Sequence, residues 1–90
     1  MHLSQQELKS NLDQALKQVA VGGLYRHFKH PQKTYKVLSL AITEADDAVC
    51  VVYQAQHGEH FVFVRPLKSW LQRVKWNNQV VDRFSRVHNN

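Results

Sequence analysis

Leucine and valine recur at Leu8, Leu12, Leu16 and Val19, three or four residues apart, while Gln5, Lys9, Asn11, Asp13 and Lys17 fall between them. That spacing places the apolar set on one stripe of an α-helix and predicts a helix over residues 4–21. Ser4 and Glu7 mark its start as a capping box, in which each side chain satisfies a backbone N–H of the other residue. Leu3 and Leu8 stand at the positions of a hydrophobic staple. Gly22-Gly23 marks the end, because glycine enters the left-handed cap conformation without a Cβ penalty. A helix this short is marginal alone, so its stripe must dock on something.

Beyond Gly23 the apolar period changes from about four to two. Leu24–Phe28, Tyr35–Ile42, Val49–Ala55 and His60–Val64 read as four strands. His30-Pro31-Gln32-Lys33 reads as a turn, residues 43–47 as an acidic loop, and residues 56–59 as a tight connection around Gly58. Pro66–Leu71 predicts a short helical turn, with Arg65 confined to extended geometry by the proline after it. Arg73–Trp76, the Asn77-Asn78 turn and Val80–Val81 predict a last hairpin, with Phe84 and Val87 anchoring the tail.

Strands two to four are apolar on both faces. Leu38, Leu40 and Ile42 share one face of the second and Tyr35 and Val37 the other; Val49, Val51 and Tyr53 oppose Cys50 and Val52 on the third. A sheet with one wet face alternates more cleanly. The outer face is therefore expected to be covered, either by the N-terminal leucine stripe or by a second copy of the chain in a homodimer. Five short strands with a helical turn before the last predict a mainly β fold. The expected architecture is a small SH3-like barrel over residues 23–90, with an added amphipathic helix over residues 1–22 packed on it. An open sheet crossed by one helix is the alternative.

Ninety residues make one domain, and 43% apolar content with nine aromatic residues supplies a core without staples. The single cysteine, Cys50, excludes an internal disulfide; it lies in an apolar run, where a small buried thiol is expected, and it fits a cytoplasmic location. No signal pattern opens the chain and no apolar run reaches membrane length, so no membrane partner is expected. The net charge of +5 permits an acidic partner, nucleic acid included. The lysines and arginines are scattered, which favours a solvated surface over a dedicated phosphate track.

The stretch Tyr25-Arg26-His27-Phe28-Lys29 concentrates the candidate chemistry. Arg26 shares a strand face with Leu24 and Phe28, while Tyr25, His27 and Lys29 take the other. If Leu24 and Phe28 point inward, Arg26 is buried as well and needs a partner. That partner is either a structural carboxylate such as Glu59 or Asp82, or an anion clamped jointly with Arg65. Tyr25 and His27 are expected to share a surface with Tyr53, either open to a ligand or covered by the helix. His27 also titrates near neutrality, as a general base would, but no nucleophile arrangement accompanies it. The pairs His27/His30 and His57/His60 are spaced i, i+3, which on a strand faces the two rings apart, so no metal site and no cofactor is expected. Trp70 reads as a core plug and Trp76 as partly exposed.

Tyr25-Arg26-His27-Phe28-Lys29, Tyr35-Lys36-Val37-Leu38, Val51-Val52-Tyr53-Gln54, Val64-Arg65-Pro66-Leu67 and Arg83-Phe84 also follow one another in a known order and spacing. From about Gly23 to Phe84 the chain resembles a small bacterial family of unknown function, typified by a YRHFK start and a VRPL block. The resemblance implies an SH3-like barrel and no established activity. Departures are local. Thr43-Glu44-Ala45-Asp46 replaces a His-Ser-Glu-Thr-like loop, Phe63 stands where a Trp precedes Val-Arg-Pro, and Asp82 stands where proline precedes Arg-Phe. The helix lies outside the shared pattern.

The combined reading is a binding module that takes a peptide or protein segment on Tyr25, His27 and Tyr53, with Arg26 or Arg65 as anion anchor. A nucleic-acid binder is the alternative, and a small ligand-processing enzyme centred on His27 a further one.

Overall fold

The computed structural model describes residues 2–88. A helix, α1 (Gln5–Leu16), precedes strands β1 (Leu24–His27), β2 (His30–Thr43), β3 (Ala48–Ala55) and β4 (Val62–Pro66). A single helical turn, α2 (Leu67–Trp70), then leads to β5 (Arg73–Trp76), β6 (Gln79–Asp82) and β7 (Phe84–Arg86). The fold is mainly β, with β4-β3-β2-β1-β7 as one five-stranded antiparallel sheet and β5-β6 as a separate hairpin.

The capping box at the start of α1 is present in both directions, Glu7 N–H to Ser4 Oγ and Ser4 N–H to Glu7 Oε1, each at 3.1 Å. The Ser4 backbone N–H donated to the charged carboxylate, and secondarily the Ser4 hydroxyl beside it, hold the Glu7 pKa below its usual value. Replacing Ser4 by Ala should cost about 1 kcal/mol of stability, read from the urea midpoint at constant slope.

The helix stops at Leu16 rather than running to residue 21, and its buried stripe is rotated from the expected one. Ala15 and Val19 are buried, Leu8 and Leu12 half-buried, and Leu16 is 52% exposed. The small Ala15 side chain lets the helix approach the sheet closely, and the Ala15 carbonyl accepts from both Gln18 and Val19 as the turn tightens. Gly22, at φ +85, then reverses the chain, and its N–H donates to the Val37 carbonyl at 2.8 Å.

β2 is longer than expected and begins in the segment read as a turn; the actual turn is Phe28-Lys29. Pro31 is tolerated because it lies at the start of the strand, where little is asked of its missing N–H. The strand pairs first with β1 and then with β3, and a bulge at Leu38 separates Val37 from Ser39 in the second ladder. Such a bulge bends a strand and increases its twist. The sheet nevertheless stays open: β4 and β7 are its edges, and no ladder joins them among the described residues.

The inner face of the sheet carries Tyr25, Tyr35, Val37, Val51 and Tyr53. With Val19, Trp70 and Phe84 most of these form the core. Trp70 stacks flat on Phe84, centroids 3.8 Å apart, and meets the edges of Tyr25 and Tyr53. Trp70 is thus the expected plug, and Cys50 is buried as a free thiol.

Because α1 packs toward this inner face, it does not cover the outer one. Val62 and Val64, which share the outer face with Val52 and Gln54, remain more than half exposed. No described helix is long and apolar enough to cross a membrane.

Candidate functional site

The face assignment of β1 is the reverse of the one the apolar side chains suggested. Tyr25, 7% exposed, faces the core, and Arg26 faces solvent. The Tyr25 hydroxyl accepts the Ala20 N–H at 2.9 Å, which satisfies its one polar atom inside the core. Arg26 therefore needs no buried carboxylate, and no ion pair holds it among the described residues. Of the five residues expected to form a site, His27, Tyr53 and Arg65 come together. Tyr25 lies within the core, and Arg26 points away on the opposite face.

The three converge on an open depression of about 290 Å³ on the inner side, between β4 and the β1–β7 edge. Its wall also includes Lys29, His30, Tyr35, Phe63 and Phe84. Arg65 reaches it because Phe63 and Arg65, two residues apart, share the inner face of β4. Its guanidinium is held in place by neutral groups. Nε donates to the Tyr53 hydroxyl at 3.3 Å, Nη1 donates to Ser69 Oγ at 2.9 Å, and the guanidinium carbon lies 5.3 Å from the centre of the Phe84 ring. Ser69 comes from α2, four residues after Arg65, so the turn that follows Pro66 supplies the clamp. No carboxylate pairs with Arg65 among the described residues. Among the described residues the remaining guanidinium donors make no hydrogen bond and could serve an anion.

His27 is wedged against Phe28 and Phe84, with ring centroids 4.6 and 5.1 Å away. Its Nδ1 accepts the Lys29 backbone N–H at 3.2 Å, which assigns the proton of the neutral ring to Nε2. Burial lowers its pKa below 6.5, and the positive charges of Arg65, Arg83, His30 and Lys29 lower it further. At neutral pH the ring is an uncharged Nε2–H donor in a positive field. The unfolded chain takes up a proton near pH 6.5, where the folded chain still refuses it. His27 thus contributes stability that is full above pH 6.5 and is lost as pH falls through the folded value. The His27 ring resonances should titrate below pH 6.5, and an anion in the depression should move that midpoint upward.

Arg83 adds a further cation next to His27. Its Nη2 donates to Gln72 Oε1 at 2.9 Å, and its Nε is buried without a partner among the described residues. Every charged side chain of the depression is basic, and none of its wall residues is Ser, Cys, Asp or Glu. Among the described residues, no group of three or more His, Cys, Asp or Glu is placed to hold a metal ion. Lys29, His30, Tyr35, Phe63 and Phe84 were not among the expected site residues. Strand alternation from Arg65 gives Phe63, but Phe84 joins through β7, which no local pattern signals.

The chain belongs to the family described as "Protein of unknown function (DUF1653)", whose model matches residues 23–86, from the end of the α1 linker to the end of β7. It is similar to a solved structure, a protein of the same family from Bordetella bronchiseptica, at 30% identity and a TM-score of 0.67, covering 78% of this chain and 90% of that one. No curated protein matches the chain.

Proposed function

We propose that this member of the family is a small cytoplasmic binding module, an opened SH3-like barrel that grips an acidic group of a peptide or protein segment. The observation that carries this reading is Arg65. Its guanidinium is oriented by Tyr53, Ser69 and Phe84, no carboxylate pairs with it among the described residues, and every charged wall residue around it is basic. A planar guanidinium held this way matches a carboxylate bidentately and loses little freedom on binding. The bulge in β2 and the helical turn that follows β4 support the SH3-like reading. The aromatic floor of Tyr35, Tyr53 and Phe84 supplies the apolar contact that a peptide side chain needs. His27 acts here as a donor and has no reacting partner among the wall residues, so binding rather than turnover is the role assigned to it.

Backbone-amide NMR with a glutamate-containing peptide and its glutamine counterpart tests the proposal. Shifts at His27, Tyr53 and Arg65 with the acidic peptide alone support it. Equal shifts with both peptides, or none, overturn it. Phe28 and the half-exposed Trp76, 5.2 Å apart edge to face beside Lys29, favour a second reading, the stacking of single-stranded nucleic acid. That reading predicts shifts centred on Trp76 with single-stranded DNA and a loss of affinity with salt of roughly 0.7 log units per phosphate contact.

A further inference from the structure

β4 is an edge of the sheet, and the ladder on its other side fixes which backbone groups it leaves open. The Ala55 N–H donates to the Phe61 carbonyl at 3.0 Å. In an antiparallel pair the N–H and C=O of one residue point to the same side, and the side alternates along the strand. Phe61, Phe63 and Arg65 therefore direct their amides at β3, while Val62 and Val64 direct theirs at the open edge. The same stretch exposes four consecutive apolar side chains, Phe61 64%, Val62 52%, Phe63 43% and Val64 61%.

Soluble proteins usually blunt a free edge with charge, proline, a bulge or shortness. β4 has no charge before Arg65, no proline before Pro66 and no bulge in its ladder with β3. The opposite edge is blunted in the ordinary way: β7 has three residues, and two of them, Ser85 and Arg86, are polar and exposed.

Resting on the peptide reading above, the geometry points to strand addition: an extended segment pairs antiparallel with the open edge of β4 and sets an acidic side chain opposite Arg65. Directly opposed residues whose amides do not pair bring their side chains closest, and Arg65 would stand in such a pair. Two residues later the segment meets Phe63, and two after that Phe61, both on the inner face. In the segment's own direction its pattern is acidic, any, apolar, any, apolar. The two intervening residues exchange backbone hydrogen bonds with Val64 and Val62 and lie on the outer face, where β-branched side chains fit. Main-chain bonds supply affinity, and the Arg65 depression with its aromatic floor supplies specificity.

A second copy fits this edge less well. Pairing β4 with its two-fold mate about Phe63 sets Arg65 opposite Phe61, which gives the guanidinium no anion. Each copy also carries +5. Four partly exposed side chains offer at most a few hundred Å², short of the roughly 1,200 Å² in total that stable interfaces bury. The positive charge around Arg65 calls instead for a short, acidic, extended partner.

The probe is the peptide acetyl-Glu-Val-Tyr-Thr-Phe-amide, titrated into the full chain by calorimetry and NMR. N-methylation of its Val and Thr amides, which face β4, should weaken binding about tenfold or more. N-methylation of Tyr and Phe should change it less than about twofold. Val64→Pro removes one open-edge donor without touching the β3 ladder, so it should abolish binding with little change in melting temperature. If that variant fails to fold, the methylation scan still decides.

Equal effects at both methylation phases, or no binding at millimolar peptide, overturn strand addition. If the Glu-to-Gln peptide still loses affinity while methylation has no effect, the anion site stands and only the strand geometry falls. If neither change matters, both fall. A concentration-dependent dimer that Val64→Pro dissociates would make the occupant a second copy and overturn the peptide.

Discussion

Replacing Trp70 by Ala should destabilise the protein by about 3–5 kcal/mol, the range for deleting a buried large aromatic. Trp70 is 2% exposed, stacked on Phe84 and edged by Tyr25 and Tyr53, so its removal opens a hole among rigid rings that collapse poorly. A domain of this size holds few other contacts in reserve, since it buries only about 60–65% of its unfolded surface. At roughly 4–8 °C per kcal/mol for a domain of 60–100 residues, the melting temperature should fall by about 12 °C or more. The loss is structural in a specific way. Trp70 ends the turn that carries Ser69, and Phe84 backs both Arg65 and His27. Trp76→Ala is the control. Its side chain is 41% exposed and touches Phe28 rather than the core cluster, so it should cost less than about 1.5 kcal/mol. A Trp70→Ala protein that melts within a few degrees of the parent would show that the plug is dispensable and that the helix and strands hold without it.

What the sequence discloses here is whatever is decided locally. The capping box needs only Ser4 and Glu7 in one turn, and it forms. The Asn77-Asn78 hairpin needs two residues that tolerate positive φ, and both adopt it, at +51 and +65. Which face of β1 turns inward was not legible. Alternation separates Leu24 and Arg26 from Tyr25 and His27, but Leu24 and Phe28 looked the more apolar side. Tyr25 prevails because its ring fills more of the core and its hydroxyl finds the Ala20 N–H, a partner set by the path of the α1 linker. The end of α1 has a similar cause. Leu16 fits the stripe by spacing, but the distance between helix and sheet selects the small Ala15. Pro31 drew a turn to itself, although the strand had already begun. For the site, His27, Tyr53 and Arg65 could be named from the chain, whereas their convergence depends on the coiling of the sheet past the Leu38 bulge. A small SH3-like barrel was expected, with an open sheet crossed by one helix as the alternative; the ladders form a five-stranded antiparallel sheet that does not close, and its edge strands β4 and β7 both contribute to the depression.

Arg65→Gln should weaken binding of an acidic peptide by roughly 10- to 100-fold, because hydrogen bonds to a charged group contribute about 1.5–3 kcal/mol each. Glutamine keeps a polar head near Tyr53 and Ser69, so the substitution removes charge and the planar fork with little loss of packing. Arg65→Lys separates those two properties. It restores the charge as a point without the fork and should recover only part of the affinity. His27→Ala should have a smaller effect at neutral pH, where the ring is uncharged and offers one donor. The difference should widen as pH falls and the bound anion draws a proton onto His27, so the affinity of the parent rises while its stability declines. Arg26→Gln is the decisive comparison. It removes the same charge from the same small protein, but from the face of β1 turned away from the depression. Its affinity should stay within about twofold of the parent, since exposed charges acting across a protein surface are largely screened at physiological salt. If Arg26→Gln weakens binding as much as Arg65→Gln does, the peptide is responding to net charge alone, and the oriented guanidinium of Arg65 is not the anchor.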